Sequence, residues 1–264
     1  MTRHVVRRPR TKIIVPLSGG KDSLSCLLIA MDTYHKSNVI PVFNDTGWEH
    51  DVTYEYLDYL EEHLDIHIHR TVGSVRKNGD AGGTLEELIL AQGRFPFGLG
   101  RFCTTHLKQY ALRNWFTDYA YDGTTQYQIW FGMRTQESNQ RANKYAGIEC
   151  DELFDMEELF PSRYNKKLRA TIQVRLPVVT WSTRGVFRFL HKHGVKSNPL
   201  YAEGTNDRVG CYPCMLAGKK VQAKMFATEF GQKQLQRIRV LEEKTGQKYE
   251  MHDTDQGSCE LCKI

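Results

Sequence analysis

The chain has 264 residues, 40% of them hydrophobic and 25% charged, with a formal net charge of +5. These are ordinary globular values, sufficient for one large domain or one domain with an appendage. No apolar run approaches the roughly 20 residues that a membrane span needs. Residues 1–10 are basic without the apolar core of a signal peptide, so no membrane partner is expected and a cytoplasmic location is.

Taken in chain order, the first feature is a cluster of arginines at Arg3, Arg7, Arg8 and Arg10. It reads either as a solvated tail or as an arm that contacts phosphates. Residues 12–17 form a short apolar run, which predicts a buried strand. A glycine loop follows, then helix-forming residues over 22–34. A second strand is expected over 38–44, ending in Asp45-Thr46-Gly47. A helix is expected over 54–64, an alternating strand over 66–71 and an apolar strand over 126–131 that stops at Gly132. Segments 75–83 and 93–100 are glycine-rich and read as loops. Helices are expected over 182–194 and 218–245, and the tail from 246 is polar and irregular. Alternation of strand and helix predicts an α/β fold with a parallel sheet covered on both faces. Ligands in such sheets bind at the carboxyl ends of the strands, and Ser18, Asp45 and Gly132 all fall just beyond predicted strands.

Ser18-Gly19-Gly20-Lys21-Asp22-Ser23 stands between a predicted strand and a predicted helix. Glycines let the backbone approach phosphates, and successive N–H groups form an anion-binding nest. The helix N-terminus adds its dipole, Lys21 adds a positive charge, and Ser18 and Ser23 add hydroxyl donors. The spacing is not that of the Walker loop, because Lys21 is followed by Asp22 rather than by Ser or Thr.

This loop resembles that of the PP-loop ATP pyrophosphatases, which cleave ATP between the α and β phosphates and transfer AMP to a substrate oxygen. The resemblance implies an adenine-nucleotide α-hydrolase-like fold. In it, Ser18, Gly19, Gly20, Lys21, Asp22 and Ser23 hold ATP and its leaving pyrophosphate with Mg2+, and Lys21 and Asp22 act catalytically. More of the chain is similar to one branch, the phosphoadenylylsulfate (PAPS) reductase-like proteins. The matching segments are Asp45-Thr46-Gly47, Cys103-Thr104 with Lys108, Gly132-Met133-Arg134 through Ser138 with Arg141, Asn198-Pro199-Leu200-Tyr201, and Asp207 through Cys214. By this resemblance Asp45, Lys108, Gly132, Arg134 and Arg141 join the nucleotide site. Residues 1–205 would form the PP-loop domain and residues 206–264 a C-terminal, cysteine-rich helical segment that binds a cluster.

The seven cysteines, an odd number with no export signal, argue for metal or sulfur chemistry rather than disulfides. Cys211-x-x-Cys214 and Cys259-x-x-Cys262, taken alone, read as a four-thiolate zinc site. Relatives that carry a [4Fe-4S] cluster imply a different set, Cys103, Cys211 and Cys214, with Cys262 supplying the fourth ligand and Cys259 competing for that place. The tail around Cys259 is similar to the segment that carries the catalytic cysteine of the reductases, so Cys259 is assigned a sulfur-handling role. Cys26 and Cys150 read as structural.

The intact loop favours ATP use. Within the branch the resemblance is strongest to the ATP pyrophosphatases of DNA phosphorothioation. It implies adenylation of a DNA backbone phosphate, with a cysteine desulfurase as sulfur donor. The alternatives are transfer RNA (tRNA) thiolation, reduction of PAPS or adenylylsulfate, and a non-catalytic nucleotide-binding module.

Overall fold

The computed structural model describes residues 11–73, 83–97, 100–159, 172–202, 204 and 207–251. Arg3, Arg7, Arg8, Arg10, Cys259 and Cys262 lie outside the described residues. The strands are β1 (Thr11–Leu17), β2 (Val39–Asp45), β3 (His69–Val72), β4 (Gln126–Trp130), β5 (Leu153–Asp155) and β6 (Ile172–Arg175). They form one six-stranded sheet in the order β3-β2-β1-β4-β6-β5. All pairs are parallel except β5 with β6. The fold is therefore the α/β class that strand–helix alternation predicts.

The sheet is covered on both faces because β1 is apolar at successive positions, Ile13, Ile14, Val15 and Leu17. Ile13, Val15 and Leu17 pack under helices α1 (Lys21–Thr33) and α2 (Asp51–Leu64). Ile14 faces the other way, with Leu112, Phe116, Tyr127 and Ile129. Fully burying such a side chain contributes about 1.5–3 kcal/mol, so both layers are strongly held. The second face is covered by a helical stretch over 102–120 that alternates α and π turns.

Helix starts follow local capping chemistry. Helix α3 (Leu85–Gln92) opens with a reciprocal capping box between Thr84 and Glu87. Ser182 accepts the Gly185 amide at 3.0 Å to start the Thr183–Lys192 helix.

The single helix expected over 218–245 is two helices, Lys219–Phe226 and Glu229–Thr245. Thr228 is the reason: its hydroxyl accepts the Gly231 amide at 3.0 Å and caps the second helix. Gly231 is required there, since a Cβ would stand 1.9 Å from the Met225 carbonyl oxygen. This helical pair shares an apolar cluster with the sheet's carboxyl end, in which Trp48, Leu85 and Leu107 meet Met215, Phe226 and Ile238. Among the described residues no helix is long and apolar enough to cross a membrane.

Candidate functional site

Two small cavities lie at the carboxyl end of the sheet. The first is built by the loop between β1 and α1. Gly19 has φ +72°, a left-handed conformation that glycine adopts without penalty. A Cβ on Gly19 would also stand 2.9 Å from Thr53 Cγ2. Gly132, just past β4, lies so close to the loop that a Cβ would be 2.5 Å from the Ser23 amide nitrogen. The turn is closed internally: the Ser18 amide donates to Ser23 Oγ at 3.3 Å, and Ser23 Oγ donates to the Gly20 carbonyl at 3.1 Å. Asn198 Nδ2 donates to the Gly19 carbonyl at 3.3 Å from behind.

Ser18, Gly20, Asp22, Ser23 and Gly132 line one crevice with Tyr201, Arg208 and Val209. Its volume is about 10 Å3, roughly the room one water needs. Lys21 is 3% exposed. Its amide donates to the Tyr201 hydroxyl at 2.9 Å, and its Nζ donates to the Asp207 carbonyl at 2.9 Å. These two oxygens hold donors that an anion in the nest would otherwise take. Burial pushes the Tyr201 phenol well above its ordinary pKa, with the Asp22 charge adding to the rise.

Asp22 carries two cations, Arg134 Nε at 2.7 Å and Lys21 Nζ at 3.4 Å. Arg134 is fixed further by the Trp181 carbonyl at 3.1 Å and Thr183 Oγ1 at 3.2 Å. Arg141 is fully buried and ion-paired with Glu137. Arg208 Nη2 donates to the Glu137 carbonyl at 2.6 Å. Glu137 thus links Arg141, behind the crevice, to Arg208, which lines it.

The second cavity, about 20 Å3, is lined by Thr46, Cys103, Lys108, Cys211 and Cys214 together with apolar side chains. The motif groups Lys108 with the phosphate ligands; the fold places it with the thiols. Asp45 caps its own turn, with Oδ1 accepting the Gly47 amide at 2.8 Å and the Tyr54 hydroxyl at 2.7 Å. Glu49, which sequence reasoning misses, is buried beside this cavity. Its carboxylate accepts the Thr46 amide at 3.1 Å, Thr46 Oγ1 at 2.8 Å and the Cys211 thiol at 3.7 Å. Burial raises the Glu49 pKa, and the Lys108 ammonium opposes the rise. The Cys211 thiol is pushed up to about 11, chiefly by burial, with Lys108 opposing and Glu49 reinforcing. The one signal for Glu49 in the sequence is its position, three residues after Thr46 in the loop that follows β2.

Two of the segments that line the second cavity are tied together. The Tyr212 amide donates to the Trp48 carbonyl at 2.7 Å, and Trp48 Nε1 donates to the Pro213 carbonyl at 3.1 Å. Cys103, Cys211 and Cys214 share a cavity without closing on a point. Among the described residues no group of three His, Cys, Asp or Glu side chains is placed to hold a metal ion. Cys26 is buried inside α1, and Cys150 contacts Thr180 Oγ1 at 3.2 Å.

Comparison with known proteins is informative at the level of family. The chain is 32% identical to an uncharacterized 37.8 kDa protein of Escherichia phage 186, over 81% of this chain and 70% of that one. It is 28% identical to an uncharacterized protein of Methanocaldococcus jannaschii, over 81% of this chain and 37% of that one. It is 24% identical to the phosphoadenosine 5'-phosphosulfate reductase of Cronobacter sakazakii, over 73% of this chain and 66% of that one. Among solved structures, the PAPS reductase of Candida auris in its phosphate complex superposes with TM-score 0.49 at 15% identity, covering 80% of this chain and 85% of that one. The U34-tRNA thiolase of Methanococcus maripaludis with its [4Fe-4S] cluster superposes with TM-score 0.47 at 16% identity, covering 99% of this chain and 82% of that one. The model of the phosphoadenosine phosphosulfate reductase domain matches residues 12–217, a span that contains both cavities, and the chain belongs to that family.

Proposed function

We propose that this chain is an AMP-forming ATP pyrophosphatase that adenylates a backbone phosphate of DNA so that sulfur can replace the activated oxygen. One observation carries the reading: the loop crevice and the thiol cavity are both lined from one short segment, residues 208–214. Val209 lines the first and Cys211 the second, and two residues of chain span at most about 7 Å.

The chemistry needs both. A non-bridging phosphate oxygen attacks the α-phosphorus of ATP, and pyrophosphate leaves with the electron pair of the broken P–O bond. The amides of the Ser18–Ser23 loop, Lys21 and Arg208 take up the charge that develops on the departing oxygens, Lys21 exchanging the Tyr201 hydroxyl and the Asp207 carbonyl for phosphate oxygens. Arg134 holds Asp22 and so fixes the first turn of α1. A persulfide sulfur, delivered by a cysteine desulfurase to a carrier thiol, then attacks the activated phosphorus. AMP departs with the original oxygen. A second thiol attacks the carrier sulfur, the S–S bond breaks and the phosphorothioate is released. A protein disulfide remains, and an external dithiol reduces it. Cys259 is the assigned carrier, and Cys103, Cys211 and Cys214 are the partner thiols.

Magnesium would arrive with the triphosphate, since both Asp22 oxygens already carry cations. For an iron–sulfur or zinc centre, Cys103, Cys211 and Cys214 fit in donor type, with Cys262 as the assigned fourth ligand. Bound there, such a centre would supply a position for a sulfide. No step above runs through it, because the three described thiols do not close on a common point.

The test is incubation of the chain with ATP and a DNA oligonucleotide, following pyrophosphate and AMP. DNA-dependent pyrophosphate release supports the reading. Sulfite release from adenylylsulfate with a dithiol, without ATP cleavage under any condition, overturns it in favour of a reductase. Pyrophosphate release that depends on tRNA instead of DNA keeps the adenylation and overturns the acceptor.

A further inference from the structure

The Thr183–Lys192 helix holds no acidic residue. Val186 and Leu190 are its buried positions, and Leu190 joins the core cluster that includes α1. The face turned away from them carries Arg184, Arg188, His191 and Lys192, all exposed. Their i, i+4, i+7, i+8 spacing sets them in one row, about 12 Å long from Arg184 to Lys192 at the helical rise per residue. Among the described residues none of the four pairs with a carboxylate. Asp32 of α1, which reaches the end of this helix, is taken by His193 Nε2 at 2.9 Å. Like charges four residues apart destabilise a helix, so the row does nothing for the fold.

The row starts at the loop crevice. Thr183 Oγ1 accepts Arg134 Nη2 at 3.2 Å, and Arg134 in turn holds Asp22 at 2.7 Å. The Thr183 amide donates to Gln136 Oε1 at 2.8 Å, which fixes the helix start against the same arginine's loop. One turn on, the Phe187 ring meets the Tyr201 ring edge-on with centroids 5.3 Å apart, and Lys21 Nζ lies 5.9 Å from the Phe187 centroid. Arg184 follows Thr183 and Arg188 follows Phe187 in the chain. Two members of the row therefore stand one residue from groups that touch the Ser18–Ser23 loop or its arginine.

We propose that this helix face is where duplex DNA docks, with successive backbone phosphates against Arg184, Arg188 and Lys192 and the strand carried toward the crevice at the helix start. The occupant rests on the reading of DNA as the adenylation acceptor, and the charge of the row is complementary to it. Phosphates line the outside of a duplex and are reached without opening it, and the guanidinium fork matches their oxygens. Contacts of this kind fix position and register without reading bases. The face therefore presents the backbone to the loop and does not select sequence.

The experiment is fluorescence anisotropy of a labelled 20-base-pair DNA duplex with the full chain, without ATP, over a salt series, with labelled tRNA as a second probe. Duplex binding is expected. The triple change Arg184→Gln, Arg188→Gln and Lys192→Gln keeps long, helix-compatible side chains and removes three charges. It is expected to weaken duplex binding tenfold or more. The slope of log affinity against log salt should flatten by about three, close to one for each phosphate no longer neutralised. A second triple, Lys233→Gln, Arg239→Gln and Lys244→Gln, removes the same charge from exposed positions of the Glu229–Thr245 helix. It is expected to change affinity less than threefold, and equal losses in the two triples overturn the proposal, since net charge alone would then explain the binding. Absence of duplex binding overturns it, as does binding unchanged in the first triple; binding of tRNA in place of the duplex overturns DNA as the occupant. If the first triple fails to fold by circular dichroism, Arg188→Gln alone decides: the slope should flatten by about one, and an unchanged slope overturns the proposal. Pyrophosphate release from ATP is measured separately on the parent chain. Duplex binding through the row without pyrophosphate release breaks the adenylation reading and leaves the docking face standing.

Discussion

The two cavities at the carboxyl end of the sheet are built on opposite principles. The crevice at the Ser18–Ser23 loop is mostly backbone: one turn of chain, two glycines and a helix start, with side chains added around it. The thiol cavity is made of side chains drawn from separate segments, among them the loop after β2, the start of α3, the 102–120 helical stretch and residues 211–216. In the crevice, charge is paired at short range, with the single carboxylate of Asp22 between Lys21 and Arg134. In the thiol cavity, burial dominates and lifts both Glu49 and Cys211. A backbone site depends on sterics and tolerates little added volume. A side-chain site depends on electrostatics and can be retuned one group at a time.

The largest expected effect follows from the backbone site. Lys21→Ala removes the cation and its bond to the Asp207 carbonyl, while the turn and helix start remain. Pyrophosphate release should fall by a hundredfold or more, the scale set by losing one charge-stabilising donor, with an unchanged circular dichroism spectrum. Normal turnover in this variant would break the assignment of the loop. Next is Gly132→Ala. Its new methyl meets backbone at 2.5 Å from Ser23 N and 2.6 Å from Asp22 C, where nothing can rotate away. Overpacking of this kind costs about 1–3 kcal/mol. Thermal unfolding should therefore shift downward, and turnover should drop with it. Gly147→Ala, with nothing within 4 Å but φ +80°, should cost stability without touching turnover.

The two sites are unequally legible in the sequence, for the same reason that they differ in construction. Six contiguous residues at Ser18–Ser23 carry the crevice, so their order in the chain is already their order in space. Gly132 and Arg134 are legible as residues just past a strand. Glu49 is not, because its role arises only when Lys108 and Cys211 are folded against it. Lys108 reads as a phosphate ligand from its motif, and nothing in the motif signals that the fold lines the thiol cavity with it. The break at Thr228 is hidden because the apolar pattern runs across it; Thr-x-x-Gly is the local signal, a cap followed by a residue with no side chain.

The thiol cavity gives a smaller and sharper prediction. With the Cys211 pKa near 11, the reactive thiolate is scarce at pH 8 and grows as pH rises. Iodoacetamide labelling of Cys211 in metal-free protein, read by peptide mass spectrometry, should be slow at pH 8 and climb toward pH 11. Glu49→Gln removes the charge that reinforces the rise, and a glutamine oxygen can still accept the Thr46 and Trp48 amides. Labelling at pH 8 should then accelerate several-fold, with the profile displaced to lower pH. An unchanged profile would mean that Glu49 holds its loop by hydrogen bonds alone.

The smallest effect lies at the far end of the sheet, where neither principle dominates. His69 has its pKa lowered from the ordinary 6.5, by burial first and by His67 next, with Glu61 opposing. The folded chain therefore binds this proton less readily than the unfolded chain does. Stability from this group is complete above about pH 6.5 and declines as pH falls toward the folded value, because the unfolded state gains the proton first. His69→Gln keeps a polar side chain at the start of β3 and removes the titration. Unfolding midpoints measured in urea between pH 7.5 and 5.5 should fall less steeply for the variant than for the parent chain. Parallel slopes would show that His69 takes its proton equally well in both states, and that its contacts with His67 and Trp115 impose no charge preference at this end of the sheet.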